Sequence, residues 1–99
     1  ISRDDIGSFL NQYLEAGIFP NDPFISIDKE GVGKLLEIGI EKGIKTNKDL
    51  KLGVCGEHGG DPSSIDFFEK IQLDYISASP FRIPIARLAA AHSSIRMKN

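Results

Sequence analysis

At 99 residues the chain is long enough for one small domain, and a domain of this size buries only about 60–70% of the surface its unfolded form exposes. Its composition, 40% hydrophobic and 26% charged, is that of an ordinary globular protein, and a net charge of −2 with mixed signs leaves no basic stripe to follow a nucleic-acid backbone. No apolar run approaches the ~20 residues that cross a bilayer, and the single cysteine excludes an intrachain disulfide and fits a reducing compartment such as the cytoplasm.

The chain opens Ile-Ser-Arg-Asp-Asp, with neither an initiator Met nor a signal-peptide pattern, and the expectation is a piece of something longer. Ser2 precedes Asp4 and Asp5, acids suited to the positive end of a helix. Ile6, Phe9, Leu10, Tyr13 and Leu14 then recur at helical spacing, and Gly17 stops the run. Pro20 and Pro23 keep the connection to about residue 26 irregular. Val32, Leu35, Leu36, Ile38 and Ile40 predict a second helix ending at Gly43, before a polar turn over Lys45–Asp49.

Leu50–Cys55 is too short for a helix and reads as a buried strand. Pro62-Ser63-Ser64 opens a third helix carrying Ile65, Phe67, Phe68 and Ile71. Asp74–Ala78 is a second short strand, ended by Ser79-Pro80. A fourth helix is predicted from near Pro84 through Ile85, Leu88, Ala89 and Ala90 to about Ser94, with Arg96–Asn99 a frayed tail. The fold class is therefore α/β, and two consecutive βα units favour parallel pairing with a right-handed crossover. Two strands do not make a stable covered sheet, and a full (β/α)8 barrel takes about 250 residues. Further strands are expected outside this sequence.

The chemistry-bearing stretch is Lys51–Ser64, where an apolar run ends in Cys55 and a loop of Gly56, Glu57, His58, Gly59 and Gly60 leads into a helix start. Strand side chains alternate faces, so Leu52 and Val54 share one face and Gly53 and Cys55 the other. Gly53 is expected to leave open space below the thiol. Tyr75, Ser77 and Ser79 alternate with Ile76 and Ala78, and in neighbouring strands Tyr75 and these two serines point to the same interior as Cys55. The loop glycines allow positive φ and close approach of a ligand. The following helix N-terminus offers N–H groups to an anion, with Glu57 and His58 as an acid/base pair. Spacing alone leaves Cys55 a small apolar residue, a nucleophile or a general acid. It likewise leaves His58 a loop hydrogen-bonder or a titrating base, and Tyr75 a packing residue or a ligand contact. Cys55-x-x-His58 lacks the second ligand pair of a zinc site, and His92 carries no assigned role.

Lys51–Ser64 and Leu73–Ala91 resemble the C-terminal end of the pyruvate, phosphate dikinase family of phosphoenolpyruvate (PEP)-utilising enzymes. The resemblance extends upstream through Ser2–Asp5, Asn21–Phe24 and Asp28–Gly33, and so covers nearly the whole chain. The continuation Glu57–Ser64 is the dikinase form and argues against the sibling PEP synthase, which uses water in place of phosphate. Ala78, where family members often carry cysteine, is a departure on the strand face assigned to packing.

The resemblance implies a multidomain enzyme in which an ATP-grasp domain and a swivelling phosphohistidine domain precede a (β/α)8 barrel. That barrel binds pyruvate or PEP with Mg2+, and the family interconverts ATP, phosphate and pyruvate with AMP, pyrophosphate and PEP. Residues 1–99 match the end of the barrel, about two parallel strands with four helices. The resemblance makes Cys55 the proton donor and acceptor at the enolpyruvate carbon, puts Tyr75 in the same pocket, and sets Gly56, Glu57 and His58 beside the substrate. The Mg2+ carboxylates and phosphate-clamping arginines match nothing here and are expected upstream of Ile1. The implied partners are the phosphohistidine domain of the same parent chain and a second copy in a homodimer, with no nucleic acid and no membrane. A piece without the metal site is expected to be catalytically inert. The rival reading is a non-catalytic module for dimerisation.

Overall fold

In the computed structural model, which describes all 99 residues, β1 (Gly53–Cys55) and β2 (Tyr75–Ser77) pair in parallel. Gly53 lies opposite Tyr75, Val54 opposite Ile76 and Cys55 opposite Ser77. α4 (Pro62–Lys70) connects the strands and α5 (Ile83–Lys98) follows β2, with one turn of 3-10 helix before each, at Glu57–Gly60 and Pro80–Arg82. Upstream lie α1 (Arg3–Ile6), α2 (Leu10–Glu15) and α3 (Val32–Thr46). The α/β class and the parallel pairing are as predicted. Both strands are shorter than expected, because at their lower end a side chain takes over from the ladder. The Asp74 carboxylate accepts the Leu52 N–H at 2.8 Å, while the Asp74 N–H donates to the Leu52 carbonyl at 2.8 Å.

The predicted first helix is two. Ser8 donates its hydroxyl to the Asp5 carbonyl at 2.9 Å, and Phe9 leaves helical geometry at φ −137°. A Gly7-Ser8 pair is a characteristic place for such a break, since serine competes for the backbone acceptor. Gly17, at φ 69°, stops α2 as the sequence predicts. α3 instead runs past Gly43 to Thr46, because Gly43 serves as a packing surface on which Leu50 rests. Gly33, in its first turn, meets the Phe67 ring in the same way.

The core gathers around α4. Ile65 and Phe68 are buried there with Ala89 of α5, and Ile27 and Ile6 are buried upstream. α5 turns inward the small residues Ala86, Ala89, Ala90 and Ser93, so of the apolar residues named along it Ala89 and Ala90 face the core while Ile85 and Leu88 stay exposed. Small side chains let two helices approach closely enough for a direct polar latch. The buried Ser93 hydroxyl donates to Asp66 Oδ1 at 2.8 Å, Arg96 donates to the same oxygen at 3.0 Å, and Lys70 pairs with Oδ2 at 2.8 Å. The bond from Arg96 also holds the tail in helix as far as Lys98, where fraying was expected. The sheet has two strands only, so each has an unpaired outer edge. Leu35 and Ile38 on α3 join Leu88 and Ile95 on α5 as exposed apolar side chains.

The hydrogen bond from Lys70, then that from Ser93, hold the Asp66 carboxyl at about 2, below its ordinary 3.8, against the opposing effect of partial burial. A depressed folded-state pKa stabilises the fold above the unfolded value, and that stability is lost as pH falls through the folded one. Denaturant midpoints should therefore decline between about pH 4 and pH 2, and Asp66→Asn should flatten that decline while lowering stability at neutral pH.

Candidate functional site

β1 delivers Cys55 to its carboxyl end with the thiol exposed. Gly56 follows at φ 152°, a conformation that side-chain-bearing residues rarely adopt, and leads into the turn of 3-10 helix at Glu57–Gly60. The result is a cleft of about 310 Å³ between the loops that follow the two strands. From the first loop it takes Cys55, Gly56, Glu57 and Gly60; from the end of β2 it takes Ser77, Ala78, Ser79 and Arg82.

Face alternation placed Cys55 correctly. With Cys55 opposite Ser77 and Gly53 opposite Tyr75, these four residues occupy one face of the sheet. The space below the thiol is not open, however. A Cβ at Gly53 would fall within the Tyr75 ring, so the glycine makes room for the tyrosine and the ring floors that face. Tyr75 itself does not line the Cys55 cleft; it borders a separate groove along the free edge of β2.

The other loop glycines serve packing. A Cβ at Gly59 would overlap the Ser77 carbonyl oxygen, and one at Gly60 would press on the Arg82 stem, whose Cγ would be 2.9 Å away. Only Gly56 uses positive φ. The first loop therefore lies directly against the second.

The α4 N-terminus is not free for an anion. Asp61 caps it, its Oδ2 accepting the Ser64 N–H at 2.8 Å and the Ser64 hydroxyl at 2.7 Å, and Pro62 removes a further donor. The same oxygen accepts the Ser26 hydroxyl at 3.1 Å, while Ser64 Oγ accepts the Ile27 N–H at 2.9 Å. One carboxylate thus starts the helix and moors the irregular upstream segment to it.

His58 turns away from the cleft. Its Nε2 lies 2.8 Å from the Pro23 carbonyl oxygen, so it acts as a loop hydrogen-bonder, half-buried. Glu57 lines the cleft and pairs with Arg3 at 3.3 Å, an exposed contact of little energetic weight. The structure thus brings Cys55, Gly56 and Glu57 together in this cleft, sets His58 beside Cys55 and Gly56 along a second, smaller cavity of about 210 Å³, and leaves Tyr75 outside both. Ser77 and Ser79 line the cleft on the face that strand alternation predicts, whereas Arg82 and Ala78 are cleft residues that sequence reasoning missed. Ala78 lies beyond the last paired residue of β2, where strand alternation no longer governs direction. For Arg82 the available signal was its place in the loop after the second strand, at the same end of the sheet as Cys55.

Residues 15–95 match the family described as PEP-utilising enzyme, PEP-binding domain. The chain belongs to that family. It is 62% identical over 96 residues to a pyruvate, phosphate dikinase of Rickettsia bellii, 60% over 95 residues to one of Rhizobium meliloti, and 55% over 97 residues to one of Clostridium symbiosum. The three alignments take in 97%, 96% and 98% of the chain and 11% of each relative's length. No helix here is long and apolar enough to cross a membrane.

The Mg2+ expected for the family finds no set of ligands in these residues. No three His, Cys, Asp or Glu side chains cluster in a way that could hold a metal ion. Glu57, the one carboxylate lining the cleft, is paired with Arg3.

Two substitutions test how the loops are held. Gly59→Ala should destabilise by about 1–3 kcal/mol, since the backbone carbonyl it meets cannot rotate aside. Asp61→Ala should cost about 1 kcal/mol for the lost cap and more for Ser26 and Ser64. Denaturant unfolding of each variant measures both; unchanged midpoints would contradict the packing and capping roles.

Proposed function

We propose that this chain is the C-terminal part of the PEP/pyruvate-binding (β/α)8 barrel of a pyruvate, phosphate dikinase, contributing its last two βα units and one side of the active site. The observation that carries the reading is an exposed thiol at the carboxyl end of a parallel strand, opening into a cleft, on a chain about 60% identical to dikinases over almost its whole length. Carboxyl ends of parallel strands are where α/β barrels place reacting groups.

In this reading Cys55 works on carbon. When PEP gives its phosphoryl group to the phosphohistidine domain of the parent chain, the enolate that remains needs a proton at its methylene carbon. The Cys55 S–H supplies it and becomes a thiolate. In the ATP-consuming direction the thiolate takes a proton from the pyruvate methyl group, and the enolate oxygen accepts the phosphoryl group. Gly56, Glu57, His58 and Tyr75 remain proposed substrate contacts. Gly56 and Glu57 are supported by the cleft they line with Cys55, His58 by a smaller cavity it lines with Cys55 and Gly56, and Tyr75 only as a residue that shapes the sheet face.

Mg2+ ligands, the ATP site and the phosphohistidine belong, in this proposal, to other parts of the parent enzyme. The isolated chain should then form no PEP from ATP and pyruvate. A cytoplasmic homodimer is the proposed setting, in keeping with the single free thiol and the exposed apolar residues of α5. The Glu57–Ser64 loop favours a dikinase over a PEP synthase.

Cys55→Ala in the full-length enzyme tests the central role. The pyruvate half-reaction should fall by several orders of magnitude while ATP-dependent phosphorylation of the histidine persists. Loss of both half-reactions, or of neither, would overturn the assignment.

A further inference from the structure

The Cys55 cleft contains a cation to which the reading above gives no task. Of its lining residues only Glu57 and Arg82 are charged. Arg3 lies 3.3 Å from Glu57, so the acid is already matched. The ion pairs of the molecule are formed by Arg3, Lys34, Lys51, Lys70 and Arg96, and Arg82 takes part in none of them. Nor does its side chain donate a hydrogen bond to any protein acceptor. Arg82 lines both this cleft and a smaller neighbouring cavity that it shares with Glu57 and Asp61, and its guanidinium is paired with neither carboxylate.

The side chain is held in place even so. Its Cβ, Cγ and Cδ run over Gly60, where a Cβ would stand 3.0, 2.9 and 3.4 Å from them. The Arg82 backbone N–H donates to the Ser79 carbonyl at 2.9 Å, closing the short turn that Pro80 begins. Glycine at position 60 therefore gives the stem a fixed bed. The charged end makes no ion pair within the chain.

We infer that Arg82 binds the anionic end of the substrate in the Cys55 cleft and thereby positions the reacting carbon at the thiol. This inference rests on the proposed function and extends it to a further residue. A guanidinium presents a planar fork of donors that matches a carboxylate or phosphoryl group two bonds at a time, so it fixes orientation as well as charge. Pyruvate and PEP both carry such a group close to the carbon that exchanges its proton. Arg82 lies on the β2 side of the cleft with Ser77 and Ser79, and Cys55 lies on the β1 side. An anion held from one wall thus meets the thiol of the other. With Asp61 occupied by Ser64 and Ser26, the α4 N-terminus does not compete for that anion.

The test uses the full-length enzyme with Arg82→Met, which keeps a stem over Gly60 and removes the charge, and Arg82→Lys, which keeps the charge and removes the fork. For Arg82→Met, kcat/KM for pyruvate should fall roughly 10- to 100-fold, the loss expected for one charge-assisted hydrogen-bonding partner, mainly through KM. Histidine phosphorylation by ATP should proceed at its normal rate, and Arg82→Lys should recover part of the loss. Two results would overturn the inference: a pyruvate KM within twofold of the parent in Arg82→Met, or equal damage to both half-reactions in both variants, which marks a merely structural role. Failure of the underlying reading is distinguishable, since Cys55→Ala would then leave the pyruvate half-reaction intact whatever Arg82 does.

Discussion

The cleft depends on one close contact between backbones. Gly59, in the turn after β1, rests against the Ser77 carbonyl at the end of β2. Any side chain there would push the two loops apart, since a carbonyl inside a paired strand cannot move aside as a side-chain tip can. Because the contact is made, the loop after β1 and the loop after β2 share a wall, and residues more than 20 positions apart face one space. Gly60 repeats the device one residue later, giving Arg82 a surface to lie on. The thiol, the serine residues and the guanidinium meet because two consecutive residues have no side chain.

A second constraint decides where charge is available. Asp61 Oδ2 accepts from the Ser64 N–H, the Ser64 hydroxyl and the Ser26 hydroxyl. That arrangement begins α4 and anchors the segment around Ile27, whose own N–H reaches the buried Ser64 hydroxyl. It also gives the helix N-terminus an internal anion. An external one would meet a site already neutralised and partly stripped of donors by Pro62. The one cationic side chain lining the Cys55 cleft is Arg82.

Much of this was legible in the sequence, and the misses have physical causes. Strand alternation put Cys55 and Tyr75 on one face because a period of two holds wherever strands pair. Gly17 and Pro62 marked helix ends through their own backbone restrictions. Glycines were harder to read, since the same residue serves conformation at Gly56 and close packing at Gly33, Gly43, Gly53, Gly59 and Gly60. Only the neighbour decides between the two, and neighbours such as Tyr75 and Ser77 are tertiary facts. The inward face of α5 is not marked in the sequence for a related reason. Periodicity weights Ile85 and Leu88 by size, whereas the Ser93–Asp66 bond requires small residues at the contact. Arg82 was passed over because a lone arginine in a turn carries no pattern until the loop beside it is in place.

The central claim is that Cys55 stands in the substrate cleft, and alkylation of that thiol tests it most directly. In the full-length enzyme, iodoacetamide labelling of Cys55 followed by peptide mass spectrometry, with and without saturating PEP, reads whether substrate covers the sulfur. The account predicts marked slowing of labelling at Cys55 when PEP is bound. Labelling at the same rate in both conditions would place the substrate elsewhere and contradict it.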